Sequence, residues 1–163
     1  NENGVADAVE IALGDGTDID GDGALDQCDT IYADTQTLSF STGGAQNLTV
    51  GAGEEFAGDF YVMLGSLGGT APGTPLLGVE VPLVADAYFD LTLNQGGAGL
   101  ISNGFGVLDA EGSATATFAI PPSPFAFGLL VTPANHAFIV FDETLTPTFV
   151  SDPYPAFFAY LPG

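Results

Sequence analysis

The feature that most constrains the fold is a series of short apolar segments that begins after residue 36. Turn-forming clusters such as GGAG and PPSP separate the segments, and no segment follows a long helical period. Because β-branched and aromatic residues in runs of this length favour strands, the sequence predicts eight or nine of them. The predicted strands cover residues 37–42, 47–52, 59–65, 76–83, 87–93, 114–120, 127–132, 136–142 and 156–161.

The spacing of apolar side chains indicates how these strands are arranged. In residues 114–120 apolar side chains occupy every second position and threonines lie between them, which is the period of a strand with one buried face. Many such strands without a long helix predict an all-β fold. The predicted architecture is an antiparallel β-sandwich, of which a jelly roll is one form.

Three segments are apolar on both faces: residues 60–64, residues 138–141 and the terminal PAFFAYLPG. A sandwich offers each strand only one face toward the core, so the second face needs another cover. Either the segments are buried on both sides within one domain, or another subunit covers part of their surface. The sequence leaves both alternatives open.

Charge limits the partners that the chain can have. It contains 21 Asp and Glu, one His and no Lys or Arg, which gives a formal net charge of −21. Nucleic-acid binding is excluded as a prediction because it depends on Lys and Arg, and an anionic membrane surface would repel the chain. No apolar run reaches the roughly 18 residues of a membrane span, and a hydrophobic fraction of 46% argues against disorder.

Residues 18–29, DIDGDGALDQCD, have the spacing of a twelve-residue calcium loop. Gly23 stands at position 6, where such a loop turns sharply, and the Ala24 carbonyl stands at position 7. Empty, this loop would hold carboxylates that repel by roughly 4 kcal/mol per pair at an effective dielectric of 20. We therefore predict that it binds Ca²⁺ as a cofactor. The side-chain ligands are Asp18, Asp20, Asp22, Asp26 and Asp29.

A second copy of this pattern lies 19 residues upstream, in NENGVADAVE. Its Gly4 corresponds to Gly23, and its first ligand would fall two positions before Asn1. That ligand would come from a residue removed by processing or from another molecule. The predicted ligands of this copy are Asn1, Asn3, the Val5 carbonyl, Asp7 and Glu10.

The segment DIDGDGALDQCD resembles the aspartate-rich calcium repeats of thrombospondin type 3 and dockerin modules, which share the spacing of an EF-hand loop. The resemblance covers about the first 30 residues and implies an extracellular or cell-surface location. Two features depart from it: Asp29 replaces the longer Glu at position 12, and Cys28, the only cysteine, cannot form an internal disulfide. A boundary near Ala33–Gln36 would separate a calcium-binding segment, residues 1–35, from a sandwich domain, residues 36–163.

The chain offers few groups for catalysis. His136 is its only imidazole and lies in an apolar segment, and no GxSxG motif is present. Two carboxylates could still act as in a glycosidase, although the chain has no Trp, Arg or Lys to orient a sugar. We therefore predict that the chain is not an enzyme.

The leading functional hypothesis is an extracellular, calcium-stabilised structural protein that self-assembles into a filament or surface layer, hence a homo-oligomer or polymer. Because the charge is repulsive, association would depend on apolar burial, with the terminal segment 156–161 completing a neighbour's sheet. The alternative is a calcium-stabilised binding module of a larger secreted protein, with carbohydrate or a protein as its ligand.

Overall fold

In the described part of the chain, two facing β-sheets and a two-stranded hairpin form the fold. The structure, a computed structural model, describes residues 30–97, 99–123 and 132–160. Its strands, numbered in chain order, are Ile31–Ala33 (β1), Thr37–Ser39 (β2), Gly44–Gly51 (β3), Phe60–Ser66 (β4), Thr74–Leu76 (β5), Val79–Val81 (β6), Ile101–Ser102 (β7), Phe105–Val107 (β8), Ser113–Ile120 (β9), Ala134–Phe141 (β10), Pro147–Val150 (β11) and Tyr154–Ala159 (β12). Within the described ranges, one helix, α1, spans Ala87–Gln95, and a 3₁₀ turn spans Glu54–Phe56.

The first sheet has the strand order β1-β3-β9-β7, and the second has the order β2-β12-β10-β4-β8, with β11 also paired to β10. Strand β1 lies on the N-terminal side of the boundary predicted near Ala33–Gln36 and pairs with β3. Leu48 of β3 and Phe118 of β9 belong to the same buried cluster as Met63 of β4. The predicted all-β antiparallel sandwich is therefore confirmed, with one parallel pair, β12 and β2.

The alternation predicted for residues 114–120 is present in β9. Ala116 and Phe118 are buried, whereas Thr115 is exposed. On the outer face, the Thr115 hydroxyl lies 2.8 Å from the Thr49 hydroxyl of β3, across the eight-residue pairing of the two strands. The period of two therefore fixes which face of this sheet meets the core.

The strand predicted for residues 87–93 is wrong, because this segment belongs to helix α1. The Asp86 carboxylate accepts the Phe89 N–H at 2.8 Å and caps the first turn. Gly96 ends the helix in the left-handed conformation, at φ 58°. Buried side chains follow a helical spacing, at Tyr88, Phe89 and Thr92.

The single strand predicted for residues 76–83 is also wrong, because the chain reverses within it. Strands β5 and β6 form an antiparallel hairpin whose two turn residues, Leu77 and Gly78, both have positive φ. The strand predicted at residues 37–42 ends at Ser39. Of the strand predicted at residues 127–132, only residue 132 lies in the described part of the chain. The short strands β1, β7, β8 and β11 were not predicted.

Strand β10 is buried on both faces within the chain. Phe138 and Val140 belong to the core between the sheets. On the opposite face, Ala137 and Ile139 pack in a second cluster completed by α1 and the end of the β5–β6 hairpin, through Phe89, Val81 and Leu83. Of the two alternatives, burial inside the chain is therefore observed for residues 138–140, whereas Phe141 is only partly covered.

The terminal strand β12 already has partners in its own sheet. Residues 154–156 pair with β10, and residues 157–159 pair with β2. The prediction that segment 156–161 completes a neighbour's sheet is therefore wrong for the paired residues, because their strand neighbours come from the same chain. Phe157 remains partly exposed beside this pairing.

Candidate functional site

All predicted calcium ligands lie in residues 1–29, outside the described residues. This applies to both loops, with the set Asp18, Asp20, Asp22, Ala24, Asp26 and Asp29 and the set Asn1, Asn3, Val5, Asp7 and Glu10. Within the part of the chain that the structure describes, no group of three or more His, Cys, Asp or Glu side chains is placed to hold a metal ion. The calcium loops thus stay predictions from the sequence.

An apolar groove lies at the open end of the second cluster, on the outer face of the six-stranded sheet. Phe60 of β4 is in register with Phe141 of β10 on one side and with Val107 of β8 on the other. Val62 is likewise in register with Phe105. These side chains share one face because strand residues two apart point the same way. The groove that they line has a volume of about 550 Å³.

The groove exists because the cover on this sheet is incomplete. Helix α1 and the β5–β6 hairpin bury Leu64, Ala137 and Ile139 completely. Phe60, at the other end of β4, remains exposed, although it lies on the same face as Leu64. One apolar surface is therefore covered at one end and open to solvent at the other.

Two leucines in unusual backbone conformations stand at the groove. Leu77 has φ 50° in the turn between β5 and β6, and Leu145 has φ 60° in the turn between β10 and β11. The left-handed region costs a non-glycine residue about 1–2 kcal/mol, and in such turns Asn or Gly is the usual choice. Both leucines nevertheless line this groove with their side chains largely in solvent.

The exposure of the groove is large for apolar residues. The exposed fractions are 71% for Phe105, 66% for Leu77, 65% for Leu145, 55% for Val107 and 44% for Phe60. Single exposed apolar residues are common on protein surfaces, but a contiguous set indicates an interaction site. We therefore take this groove as the candidate functional site.

Two carboxylates adjoin the groove residues in sequence. Asp59 precedes Phe60, and Asp142 follows Phe141, its neighbour across the sheet. Hydrogen bonds from the Thr144 hydroxyl and the Thr146 N–H lower the pKa of Asp142. The groove lining itself contains no charged residue.

Strand β8 forms one wall of the groove and one edge of the sheet. Gly106 sits over Tyr61, and a Cβ there would lie 3.2 Å from the Tyr61 ring. The Tyr61 hydroxyl donates to the Asn103 carbonyl at 2.8 Å, so it holds the turn that leads into β8, and burial raises the pKa of Tyr61. Among the described residues β8 has no strand on its outer side.

His136 lies in the core rather than at the groove. Its Nε2 is 2.9 Å from the Tyr88 hydroxyl, its ring packs 4.6 Å from that of Phe118, and its Nδ1 has no partner among the described residues. Burial lowers the pKa of His136 to about 3, so the ring is neutral at pH 7. Gly65 makes this arrangement possible, because a Cβ there would overlap the Tyr88 ring.

The two-sided apolar segments 60–64 and 138–141 contain Phe60, Val62 and Phe141 of the groove, but sequence reasoning missed its β8 residues and its two leucines. Strand β8 has three residues, too few for a visible alternation. The detectable signal was in the turns: Leu77 precedes a glycine where asparagine is usual, and Leu145 stands in the acidic turn DETLT. A large apolar residue at a turn position that favours Asn or Gly therefore indicates an interaction surface.

Comparison with known proteins gives no relative: no protein-family model matches the chain, and no curated protein matches its sequence. Among the described residues, no helix has both the length and the apolar character needed to cross a membrane.

Proposed function

We propose that the chain is an extracellular, calcium-stabilised structural protein that assembles with further copies of itself into a filament or surface layer. The observation that carries the proposal is the apolar groove beside strand β8, where five large apolar side chains are exposed together. Such a surface is unfavourable in a permanently isolated subunit, since contiguous apolar patches promote association.

Calcium enters the proposal through the sequence. The loop at residues 18–29 has the ligand spacing of an EF-hand, and a second copy of the pattern lies 19 residues upstream. A net charge of −21 keeps subunits apart at low salt. Bound Ca²⁺ lowers this repulsion and closes the loops, so it favours the assembled state.

Of the apolar surfaces that the sequence offered for the contact, the structure favours the groove, which includes Phe60 and Val62 of the two-sided segment 60–64. Strand β10 is covered inside the chain, and β12 has partners in its own sheet. The groove is the part of that apolar surface that keeps large side chains in solvent.

The proposal is tested by light scattering after size exclusion and by negative-stain electron microscopy, in millimolar calcium and in chelator. We expect polymers or oligomers in calcium and smaller species in chelator. Asp20→Ala and Asp22→Ala should weaken both calcium binding and assembly, whereas Glu111→Ala removes one exposed carboxylate outside the loop and serves as the matched control. A chain that stays monomeric at high concentration in calcium contradicts the proposal, and calorimetry without a heat of calcium binding removes its calcium part.

A binding module of a larger secreted protein is the second candidate function. The volume of the groove, about 550 Å³, is within the range of ligand sites. Its lining favours a protein ligand over a carbohydrate, because the one side-chain hydroxyl, that of Tyr61, already donates to Asn103. A monomer that binds an apolar peptide in the groove would favour this function over assembly.

A further inference from the structure

We propose that the groove and a polar pocket beside it form one binding site for a basic, apolar segment of a different protein. A Lys or Arg of that segment would bind at the C-terminal end of helix α1, and its apolar side chains would fill the groove. The inference goes beyond the assembly proposed above, because a copy of this chain has no Lys or Arg to place at the helix end. A second copy and the basic segment would compete for the groove.

The polar pocket lies where α1 ends and has a volume of about 350 Å³. Asn94, Gln95 and Gly96 of the helix end line it, and Val62 and Phe105 line both this pocket and the groove. A Cβ at Gly96 would lie 3.8 Å from the Phe105 ring, so the helix end stands beside the groove wall. The two cavities therefore adjoin each other, and one ligand can occupy both.

The chemistry of the helix end favours a cation. The last four carbonyl groups of an α-helix have no N–H partner within the helix, and the aligned peptide dipoles give this end a partial negative charge. Gly97 donates its N–H back to the Leu91 carbonyl at 3.2 Å, but the last turn contains no basic residue. Asn94 donates its Nδ2 to the Asp90 carbonyl at 3.1 Å, which leaves its amide oxygen as an acceptor. The helix end thus offers acceptors that a Lys or Arg from outside can satisfy.

Phe105 connects the polar part of the site to the apolar part. Its side chain is 71% exposed and forms a wall of both cavities. An ammonium or guanidinium group over an aromatic face is attracted by the electrons of the ring. Apolar side chains next to that cation would cover Phe60 and Val107, which are exposed on the same face.

A segment laid over the outer face of the sheet buries more of the groove than a strand added at its edge. The floor is made by three neighbouring strands, β10, β4 and β8, and strands lie about 4.8 Å apart, so it is about 10 Å wide. That width suits one extended or helical segment. From this position the segment contacts β4 and also the turns that carry Leu77 and Leu145.

Charge distinguishes this occupant from a second copy. The chain carries −21 and no Lys or Arg, so its field attracts a basic segment and repels another copy. Salt screens both interactions, with a Debye length of about 8 Å at physiological ionic strength. Binding of the basic segment must therefore weaken as sodium chloride rises, whereas association between copies must strengthen.

The test is fluorescence anisotropy of a short labelled peptide with the full chain in calcium, at low and high sodium chloride. The peptide carries leucine and phenylalanine at alternate positions and one arginine at its end. We expect saturable binding that weakens about tenfold at high salt. The same peptide with citrulline in place of arginine keeps the shape but lacks the charge, and it should bind about tenfold more weakly.

Gln95→Lys tests the position of the cation without endangering the fold. The new lysine lies at the C-terminal end of α1, where a cation stabilises the helix, and it takes the place of the peptide's arginine. We expect about tenfold weaker binding with an unfolding midpoint in urea that is unchanged or higher. Glu111→Gln is the matched control, since it changes the net charge by the same amount outside both cavities, and it should leave the affinity unchanged. Phe105→Ser should weaken binding about thirtyfold.

Each outcome is assigned in advance. Peptide binding that neither citrulline nor Gln95→Lys weakens overturns the inference, and so does binding that strengthens with salt. A chain that assembles in calcium but does not bind the peptide overturns the inference and leaves the proposed function standing. A chain that stays monomeric in calcium and binds the peptide with the expected dependences supports the inference and overturns the proposed assembly.

Discussion

Acidification should destabilise the fold through the buried His136. Its side chain is fully buried, its Nε2 meets the Tyr88 hydroxyl at 2.9 Å, and burial lowers its pKa to about 3. In the unfolded chain the imidazole titrates near 6.5. Between these two pKa values the His136 imidazole is protonated in the unfolded chain and neutral in the folded protein. The free energy of unfolding therefore falls as the pH falls below about 6.5.

The magnitude follows from the separation of the two pKa values. Each unit is worth 1.36 kcal/mol, so His136 removes about 3 kcal/mol of stability between pH 7 and pH 4.5, and about 4 kcal/mol by pH 3. This is a large share of the 5–15 kcal/mol typical of a domain. Above pH 6.5 the contribution is complete and the dependence vanishes.

The assay is urea denaturation at pH 7 and pH 4.5 for the unchanged protein and for His136→Gln. The glutamine amide can still bond the Tyr88 hydroxyl but has no proton to gain. Carboxylate titration is common to both proteins, so the difference between their pH dependences isolates His136, and we expect it to be about 3 kcal/mol. Because the chain has one histidine, its imidazole NMR signal reports the folded pKa directly. Equal pH dependences, or an imidazole that titrates near 6.5, would refute the reasoning.

Four further results are expected. Asp86→Ala should lower the free energy of unfolding by about 2–3 kcal/mol in urea titrations, because the Asp86 carboxylate accepts three backbone N–H groups at 2.7–2.8 Å; an unchanged midpoint would contradict this. Gly65→Ala should cost about 3 kcal/mol, since its Cβ would lie 2.9 Å from the Tyr88 Cζ, and near-UV circular dichroism should register the displaced ring. Leu77→Asn and Leu145→Asn should each raise the free energy of unfolding by about 1 kcal/mol while weakening association, and a loss of stability would show that the left-handed turns are not strained. Calcium at a hundred times its dissociation constant should add about 2.7 kcal/mol, and a melting temperature unmoved by chelator would contradict the calcium prediction.

The sandwich could be predicted because its signals are local. Residues 114–120 alternate, and residues 136–141 form an apolar run whose length suits a strand but not a helix. Helix α1 was missed because its interior, AYFDLTL, is rich in aromatic and β-branched residues that favour strands. The caps at Asp86 and Gly96 outweigh that preference. Each hydrogen-bonds a backbone group at a helix end that a strand could pair only with a neighbouring strand.

The groove could not be predicted from the pattern of residues alone. The β5–β6 hairpin helps to cover the second face of β10, and this cover is a tertiary contact. Phe60 and Leu64 have the same strand environment in the sequence, yet one is exposed and the other buried because the cover ends between them. The calcium loop at residues 18–29 remains a prediction whose support is its ligand spacing.

The parallel pairing of β2 with β12 has a consequence for synthesis of the chain. Thr37 meets Phe157, about 120 residues later, and β12 is the neighbour of β2 in the sheet. At translation rates of about 5–20 residues per second, the ribosome needs roughly 6 to 24 seconds to make the intervening chain. Phe40 also lacks its stacking partner Phe158 during this interval, since the centroids of the two rings lie 5.0 Å apart in the folded protein. The six-stranded sheet therefore closes after translation has passed β12, and the nascent chain carries an unfinished core until then.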